Sequence, residues 1–461
     1  MFSAYSVASI RAAEAEAIAA VGDDTLMRRA ATGLASVVLR ELKPVYAKAV
    51  LLLVGPGNNG GDGLYAAVKL RQRGVVVFAW RAADRVHAAG WEAFCRAGGR
   101  EVDFDAAVAL VPQVDLIVDA LLGIGGKPGL REPVTDLVDE IDAADTPVIS
   151  VDLPSGLDAD SGALSPSFLL PSHTVTFGGR KLCHVLEPAK TMCDQITVID
   201  IGLPEMEPAL HCWELADVAV AWPVPLVTAD KYSRGVVGLH VGSATYPGAA
   251  VLAASGAIKA GAGMVRFLGD PEVGQRVLAS YPNVVLGEGR VQAYVLGCGW
   301  GDQPYGAGII AKALDEAPAV IDADALRYLT PEPHAYPALL TPHAGELARL
   351  LEVDRADVEA DPITHAKAAA QRYHAVVLLK GTNQIVTDGR DVFVPVPGPS
   401  WAATAGSGDV LAGSCGSLLA AGRPPIIAAC AAASIQALAY RHANSPVPPQ
   451  DLEFPWALLN L

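Results

Sequence analysis

The stretch WAATAGSGDVLAG, residues 401–413, sets Gly406, Ser407 and Gly408 directly before one carboxylate, Asp409, and an apolar run that predicts a helix. A helix start leaves N–H groups unpaired and carries the positive end of the helix dipole, so it attracts anions. A phosphoryl group held there, with Asp409 placed to take a proton from an attacking hydroxyl, would make a phosphoryl-transfer site. An aspartate that merely caps a helix is the simpler reading of the same residues. Two further predicted strand ends in this half carry polar groups: His343 and Glu346 in LTPHAGELARLL, and Lys380 and Gly381 in VLLKGTNQIV. Each alone would pass for a structural histidine or a solvated turn; together with the glycine turn they point to a site.

The first half holds a second constellation. VGPGNNGGDGLYAA follows a predicted strand and leads into a predicted helix, so its glycines admit a ligand close to the backbone while Asn58, Asn59 and Asp62 offer side-chain oxygens and amides. DALLGIGGKPG brings Asp119, Gly123, Gly125 and Gly129, and VDLPSG brings Asp152 and Ser155. Turn and cap roles would account for any one of these motifs. Several such ends in one domain favour a binding crevice. Neutral oxygens from Asn59 and Ser155 with the carboxylate of Asp119 suit a weakly charged cation such as K⁺ better than zinc.

The elements that must position these residues are short β-rich runs separated by helix-length segments. AVLLLVG (49–55), VVVFAW (75–80), VDLIVDALLG (114–123), PVISVDLPSG (147–156) and HTVTFGG (173–179) form one series. GVVGLHVG (235–242), AYVLGCG (293–299), PAVIDADAL (318–326), ALLTPHAGEL (338–347) and AVVLLKG (375–381) form another. Runs apolar on both faces predict parallel sheets covered by helices, hence two α/β domains. The Pro-rich segment from Leu203 to about Val227 reads as a linker, with a boundary near Leu210 and domains at 1–210 and 211–461. The Ala-rich run from Pro425 to Tyr440 is broken by Ser434 and Gln436 and predicts a buried helix rather than a membrane span.

The whole chain supports the same class. Its 461 residues suffice for two or three domains at roughly 100–200 residues each. A net charge of −16 disfavours nucleic acid and anionic membrane as partners. Arg11, Glu14 and Glu16 interrupt the apolar core that a signal peptide would need. Seven cysteines without a C-x-x-C pair fit reduced thiols, giving the expectation of a cytoplasmic protein without a structural metal.

Residues 1 to about 205 resemble the NAD(P)H-hydrate epimerase domain through LMRRAA, VGPGNNGGDG, DALLGIG and VDLPSGLDADSG. The resemblance implies a Rossmann-like three-layer fold that binds the hydrated nicotinamide cofactor at Asn58, Asn59, Gly60, Gly61 and Asp62, and at Gly123, Ile124, Gly125, Gly126, Lys127, Pro128 and Gly129. It also implies Asp152 on the substrate and K⁺ on Asn59, Asp119 and Ser155. An acid–base role for Asp152 accords with a proton shuttle at the hydrated carbon.

Residues 216–461 resemble the ribokinase-like, ADP- or ATP-dependent NAD(P)H-hydrate dehydratases through DKYSRGVVGLHVGS, YPGAAVLAASGAIKAGAGMVR, VIDADAL, LTPHAGELARLL, LLKGTNQIVTDG and TAGSGDVLAG. That likeness implies substrate contacts at Ala249, Gly299, Gly301, His343 and Asp409, with Asp409 catalytic. It implies nucleotide contacts at Lys380, Gly381, Thr382, Asn383, Gln384 and Gly408, and Mg²⁺ entering with ADP. The family's Gly-Pro-Gly-Leu-Gly stands here as GCGWG, with Cys298 and Trp300.

The two likenesses converge on one metabolite. The implied activity is repair of hydrated NADH and NADPH: epimerisation of the R and S hydrates by the first domain, and ADP-dependent dehydration of the S form by the second, giving AMP and phosphate. A homo-oligomer is expected. The alternative is a ribokinase-like vitamin kinase fused to a non-catalytic Rossmann-like binding module.

Overall fold

The computed structural model describes residues 1–443 and 445–459, so the last two positions of the expected 211–461 domain, and Asn444 within it, lie outside the described residues. The chain divides into two compact units, Ser3–Ala209 and Leu210–Leu461, the latter taking in Met1–Phe2.

In the first unit, alternate residues of the strand Ala49–Val54 point to opposite faces, as the period of two requires. Val50, Leu52 and Val54 pack with the helices Asp23–Glu41 and Asn58–Gln72, whereas Leu51 and Leu53 pack with Val134–Ala144 on the other side. Both faces are therefore covered, which is why the strand reads as an unbroken apolar run. The sheet has seven parallel strands in the order Arg100–Val102, Val76–Arg81, Ala49–Val54, Leu116–Ala120, Val148–Val151, His173–Phe177 and Gln195–Ile199. Register places Val54 beside Ala120 and Asp119 beside Ser150, so three adjacent strands end at one edge. Asn58–Asp62 do not form a free loop: they are the first turn of the helix Asn58–Gln72, capped by Gly57.

The second unit carries a longer sheet. Val285–Leu286, Met264–Phe267, Val236–His240, Ala293–Leu296, Ala319–Ile321, Ala338–Leu340 and Val376–Leu379 lie parallel in that order. An antiparallel hairpin, Ile385–Thr387 and Val392–Val394, extends it. The segment expected as a linker carries two short elements: Leu210–Cys212 pairs in parallel with Val392–Val394, and Leu215–Ala221 is a helix. Its prolines, Pro204, Pro208, Pro223 and Pro225, all fall outside those two elements, so proline content marked the neighbouring loops.

The helix Ser407–Ala420 packs against Pro247–Lys259 with unusually close backbones. A Cβ at Gly413 would lie 2.0 Å from the Ala253 carbonyl oxygen, and one at Gly256 2.0 Å from that of Val410. The Ala-rich helix Pro425–Ala443 is buried beside them, as its composition predicts. No helix among the described residues is long and apolar enough to cross a membrane. All seven cysteines are free.

Candidate active sites

A cavity of about 360 Å³ opens at the shared strand edge of the first unit. Its lining takes in Asn58, Asn59, Asp62, Gly123, Ile124, Gly125, Gly126 and Asp152. Gly60 and Gly61 are buried in the helix behind it, and Lys127, Pro128 and Gly129 lie outside the lining. The geometry thus gathers most, but not all, of the residues expected on substrate. Arg11, Glu14, Asp23 and Met27 join the wall from the first two helices.

Asp119 and Ser155 are fully buried beneath this edge. Asp119 Oδ1 accepts from Ser155 Oγ at 2.6 Å and Leu121 N at 3.2 Å, while Oδ2 accepts from Ser150 Oγ at 2.9 Å and Ser155 N at 3.0 Å. Burial raises the Asp119 carboxyl above its ordinary range, against the pull of those hydrogen bonds. No lysine, arginine or histidine forms an ion pair with it among the described residues. Asn59 Nδ2 is buried without a hydrogen-bond partner. A cation at this edge could draw on the oxygens of Asp119 and Ser155, whereas the orphaned Asn59 Nδ2 is a hydrogen-bond donor and ligates none.

Asp152 sits at φ +73°, left-handed backbone that non-glycine residues rarely adopt. Its Oδ2 accepts from Ile124 N at 3.1 Å, and its Oδ1 from Lys181 Nζ at 2.5 Å and Thr176 Oγ1 at 3.2 Å. Burial would raise this carboxyl, but Lys181's charge and hydrogen bond, with His184 and Ile124 N, carry it below the ordinary range. Asp62 moves the opposite way, well above that range, through burial first and then the charges of Asp152 and Glu14. Sequence reasoning missed Lys181 and Thr176. The only signal was a lysine shortly after the strand His173–Phe177.

In the second unit, Gly406 takes a left-handed conformation, φ +89°, and caps the helix Ser407–Ala420. Asp409 is therefore in the first turn rather than at the cap, and the cap reading of Asp409 gives way. Gln436 Nε2 holds the Ser407 carbonyl at 2.8 Å, fixing the turn from the neighbouring helix. Burial, followed by the charge of Asp322, pushes the Asp409 carboxyl up to about 7, with Lys380 and Cys298 opposing.

Asp322 is the organising acid here. Its Oδ1 accepts from Lys380 Nζ at 2.7 Å and Thr341 Oγ1 at 2.7 Å, and Oδ2 from Cys298 Sγ at 3.3 Å. One ligand atom each of Cys298, Asp322 and Asp409 lies within 4.8 Å of the others. Burial, then Asp322 and Asp409, hold the Cys298 thiol well above its ordinary range, so it stays a donor. Burial lowers the Lys380 ammonium, but Asp322 and Glu346 outweigh it and the net direction is upward.

The remaining candidates fall around this core. A Cβ at Gly408 would stand 3.3 Å from Lys380 Nζ, and one at Gly299 2.6 Å from the Ala249 methyl, so each pair shares a wall. Lys380–Gln384 turn the hairpin between Val376–Leu379 and Ile385–Thr387; Gly381 and Thr382 are exposed, and Gln384 Oε1 is buried without a partner. His343 caps Ala344–Leu351 with Nδ1, accepting from Gly345 N at 3.0 Å and Glu346 N at 3.3 Å. It also bridges in parallel to Lys380. Gly301 N donates to Asp324 Oδ2 at 2.8 Å, and Trp300 Nε1 to the His240 carbonyl at 2.7 Å, which anchor the GCGWG turn. Asp322 was visible only as an acid at a strand end in VIDADAL.

Comparison with known proteins bears on both sites. Residues 237–448 match a family model described as NAD(P)H-hydrate dehydratase, and residues 23–183 one described as YjeF-related protein N-terminus. The chain is 42% identical over 437 residues to the bifunctional NAD(P)H-hydrate repair enzyme Nnr of Mycobacterium tuberculosis, covering 91% of this chain and 89% of that relative. It is 33% identical over 405 residues to the protein of that name from Escherichia coli K12, covering 83% and 78%. Among solved structures, the ADP/ATP-dependent NAD(P)H-hydrate dehydratase of Bacillus subtilis, co-crystallised with ATP/Mg²⁺, aligns with a TM-score of 0.50 at 23% identity. That alignment spans 55% of this chain and 97% of the other, and it supports the fold of the second unit.

Proposed function

This chain belongs to the bifunctional NAD(P)H-hydrate repair enzymes, and from that membership we propose how its two sites divide the work. The first unit is the epimerase and the second the nucleotide-dependent dehydratase. A vitamin kinase with an inert partner module is not favoured, because both halves match repair-enzyme families.

The observation that carries the dehydratase reading is Asp409, held near neutrality in the first turn of a helix that leaves N–H groups free for an anion. The hydrated ring's hydroxyl gives its proton to Asp409, and its oxygen attacks the terminal phosphorus of ADP, expelling AMP. The phosphorylated carbon then loses phosphate while a neighbouring carbon loses a proton, which restores the dihydropyridine. Lys380, Gly408 and the turn Lys380–Gln384 face the nucleotide, and Mg²⁺ enters as its phosphate complex. Ala249, Gly299, Gly301 and His343 border the substrate. Asp322 keeps Lys380 charged and in place.

At the first site, Asp152 takes the proton of the hydroxyl on the hydrated carbon. The oxygen's electron pair becomes a carbonyl as the ring C–N bond breaks, and the nitrogen accepts that same proton. Reclosure on the opposite face gives the other epimer. Asn58, Asn59, Gly60, Gly61, Asp62 and residues Gly123–Gly129 provide the binding edge. Asn59, Asp119 and Ser155 would hold K⁺, which would supply a positive charge to offset that of buried Asp119.

The reading extends to a homo-oligomer acting in the cytoplasm, for which light scattering of the purified chain tests the first point. The activity itself is tested by supplying a mixture of both NADH-hydrate epimers with ADP or ATP. Full return of dihydronicotinamide absorbance from both epimers supports it; a stable phosphoester product would sink it.

A further inference from the structure

The two oxygens of Asp152 face different surroundings. Oδ1 is engaged by Lys181 Nζ at 2.5 Å and Thr176 Oγ1 at 3.2 Å, and neither of those residues lines the cavity. Oδ2 accepts from Ile124 N at 3.1 Å and lies 3.1 Å from where a Cβ on Gly123 would be, beside two residues that do line it.

Lys181 is 1% exposed, and its ammonium is fully spent. Beyond Asp152 it donates to Thr176 Oγ1 at 2.7 Å and to the Phe177 carbonyl at 3.1 Å, three acceptors for three N–H bonds. Its backbone N–H is in turn held by His184 Nδ1 at 3.0 Å. A buried ammonium with every donor committed has one geometry, and so does the carboxylate it grips. The acids Glu14, Asp23 and Asp62 crowd the same cavity from the helices Val7–Val21, Asp23–Glu41 and Asn58–Gln72. Arg11 lines it as well, and His184 lies behind Lys181.

We propose that Lys181 is the positioning residue of the epimerase site: by binding Oδ1 it fixes the carboxylate plane and leaves Oδ2 as the single oxygen that exchanges a proton with the ring hydroxyl. Lys181 itself stays out of reach of the substrate. Thr176 is the second clamp on the same oxygen. The inference rests on the epimerase reading of this cavity and on Asp152 as its proton carrier.

The test is single-epimer interconversion, followed by chromatography, in the full-length protein and in Lys181→Met, Thr176→Val and Asp152→Ala. Loss of orientation at the reacting group lowers kcat by on the order of 10²-fold in Lys181→Met and less in Thr176→Val, with KM little changed in both. A role in stability alone would lower the melting temperature and leave kcat intact in the folded fraction. Unchanged kcat in folded Lys181→Met overturns the proposal, as does a rise in KM alone. Should Lys181→Met not fold, Thr176→Val decides, and unaltered kcat there overturns it equally. A wild-type chain without interconversion removes the epimerase reading, whereas an active wild type, an inactive Asp152→Ala and a fully active Lys181→Met remove only the role of Lys181.

Discussion

Asp409 illustrates how one side chain acquires a chemistry from its surroundings. Poised at about 7, it is half-ionised where a base is most useful, since it can both take and release a proton. In the free enzyme, kcat/KM for dehydration is expected to climb as pH rises through about 7 and to level off above it, because only the ionised carboxyl accepts a proton. Asp409→Asn is expected to remove that limb and to lower the rate by about 10²–10⁴-fold. The same burial has a stability consequence. A carboxyl raised in the folded state binds its proton more tightly there than in the unfolded chain, so it opposes folding as pH rises from the ordinary carboxylate range through about 7. Asp409→Asn should therefore melt at a higher temperature than the wild type at pH values above that range, which a thermal scan across pH reads directly. At this scale the sequence was legible where the acid and its glycines are neighbours. It was not legible for Asp322 and Lys380, 58 residues apart, or for Lys181 and Asp152, 29 apart.

Between elements, the decisive contact is that of the helices Pro247–Lys259 and Ser407–Ala420. Their backbones meet where Gly256 and Gly413 leave no side chain, and this seats the first turn that carries Asp409. Gly413→Ala would press a methyl against the Ala253 carbonyl, so it should destabilise the second unit by about 1–3 kcal/mol. Urea unfolding followed on the second unit's tryptophans measures it, and an unchanged midpoint would show that the helices can part without cost. The strands themselves were readable as apolar runs, with ends shifted by a few residues. The two short elements after Leu203 were not legible, because Leu210–Cys212 is short and its pairing partner, Val392–Val394, is far along the chain.

Across the whole molecule, two sites on two units serve one repair, because hydration gives two epimers and a stereospecific dehydratase consumes one. Asp152→Ala should abolish interconversion and leave dehydration of the S hydrate intact, and Asp409→Asn should do the reverse. Assays of both variants with separated epimers check this, and a parallel loss of both activities would contradict it. Nucleotide with Mg²⁺ at about a hundredfold over its dissociation constant should stabilise the unit that binds it by about 2.7 kcal/mol. A calorimetric scan should then shift the transition of the second unit, and that shift should weaken in Lys380→Ala.

The amino-acid sequence by itself determined the class of chemistry. Glycine turns that open helices, acids at strand ends and unbroken apolar runs of strand length are local features, encoded by neighbours, and they specified two α/β units with an anion site in one and a polar crevice in the other. Tertiary structure decided which acids are bases. Asp152 lies below its ordinary range because Lys181 outweighs the effect of burial, Asp62 lies above because burial isolates it, and Asp409 stands near 7 because it is buried and Asp322 arrives beside it. Desolvation and Coulomb energy depend on burial and on distances of a few ångströms, and those exist only once the chain has folded.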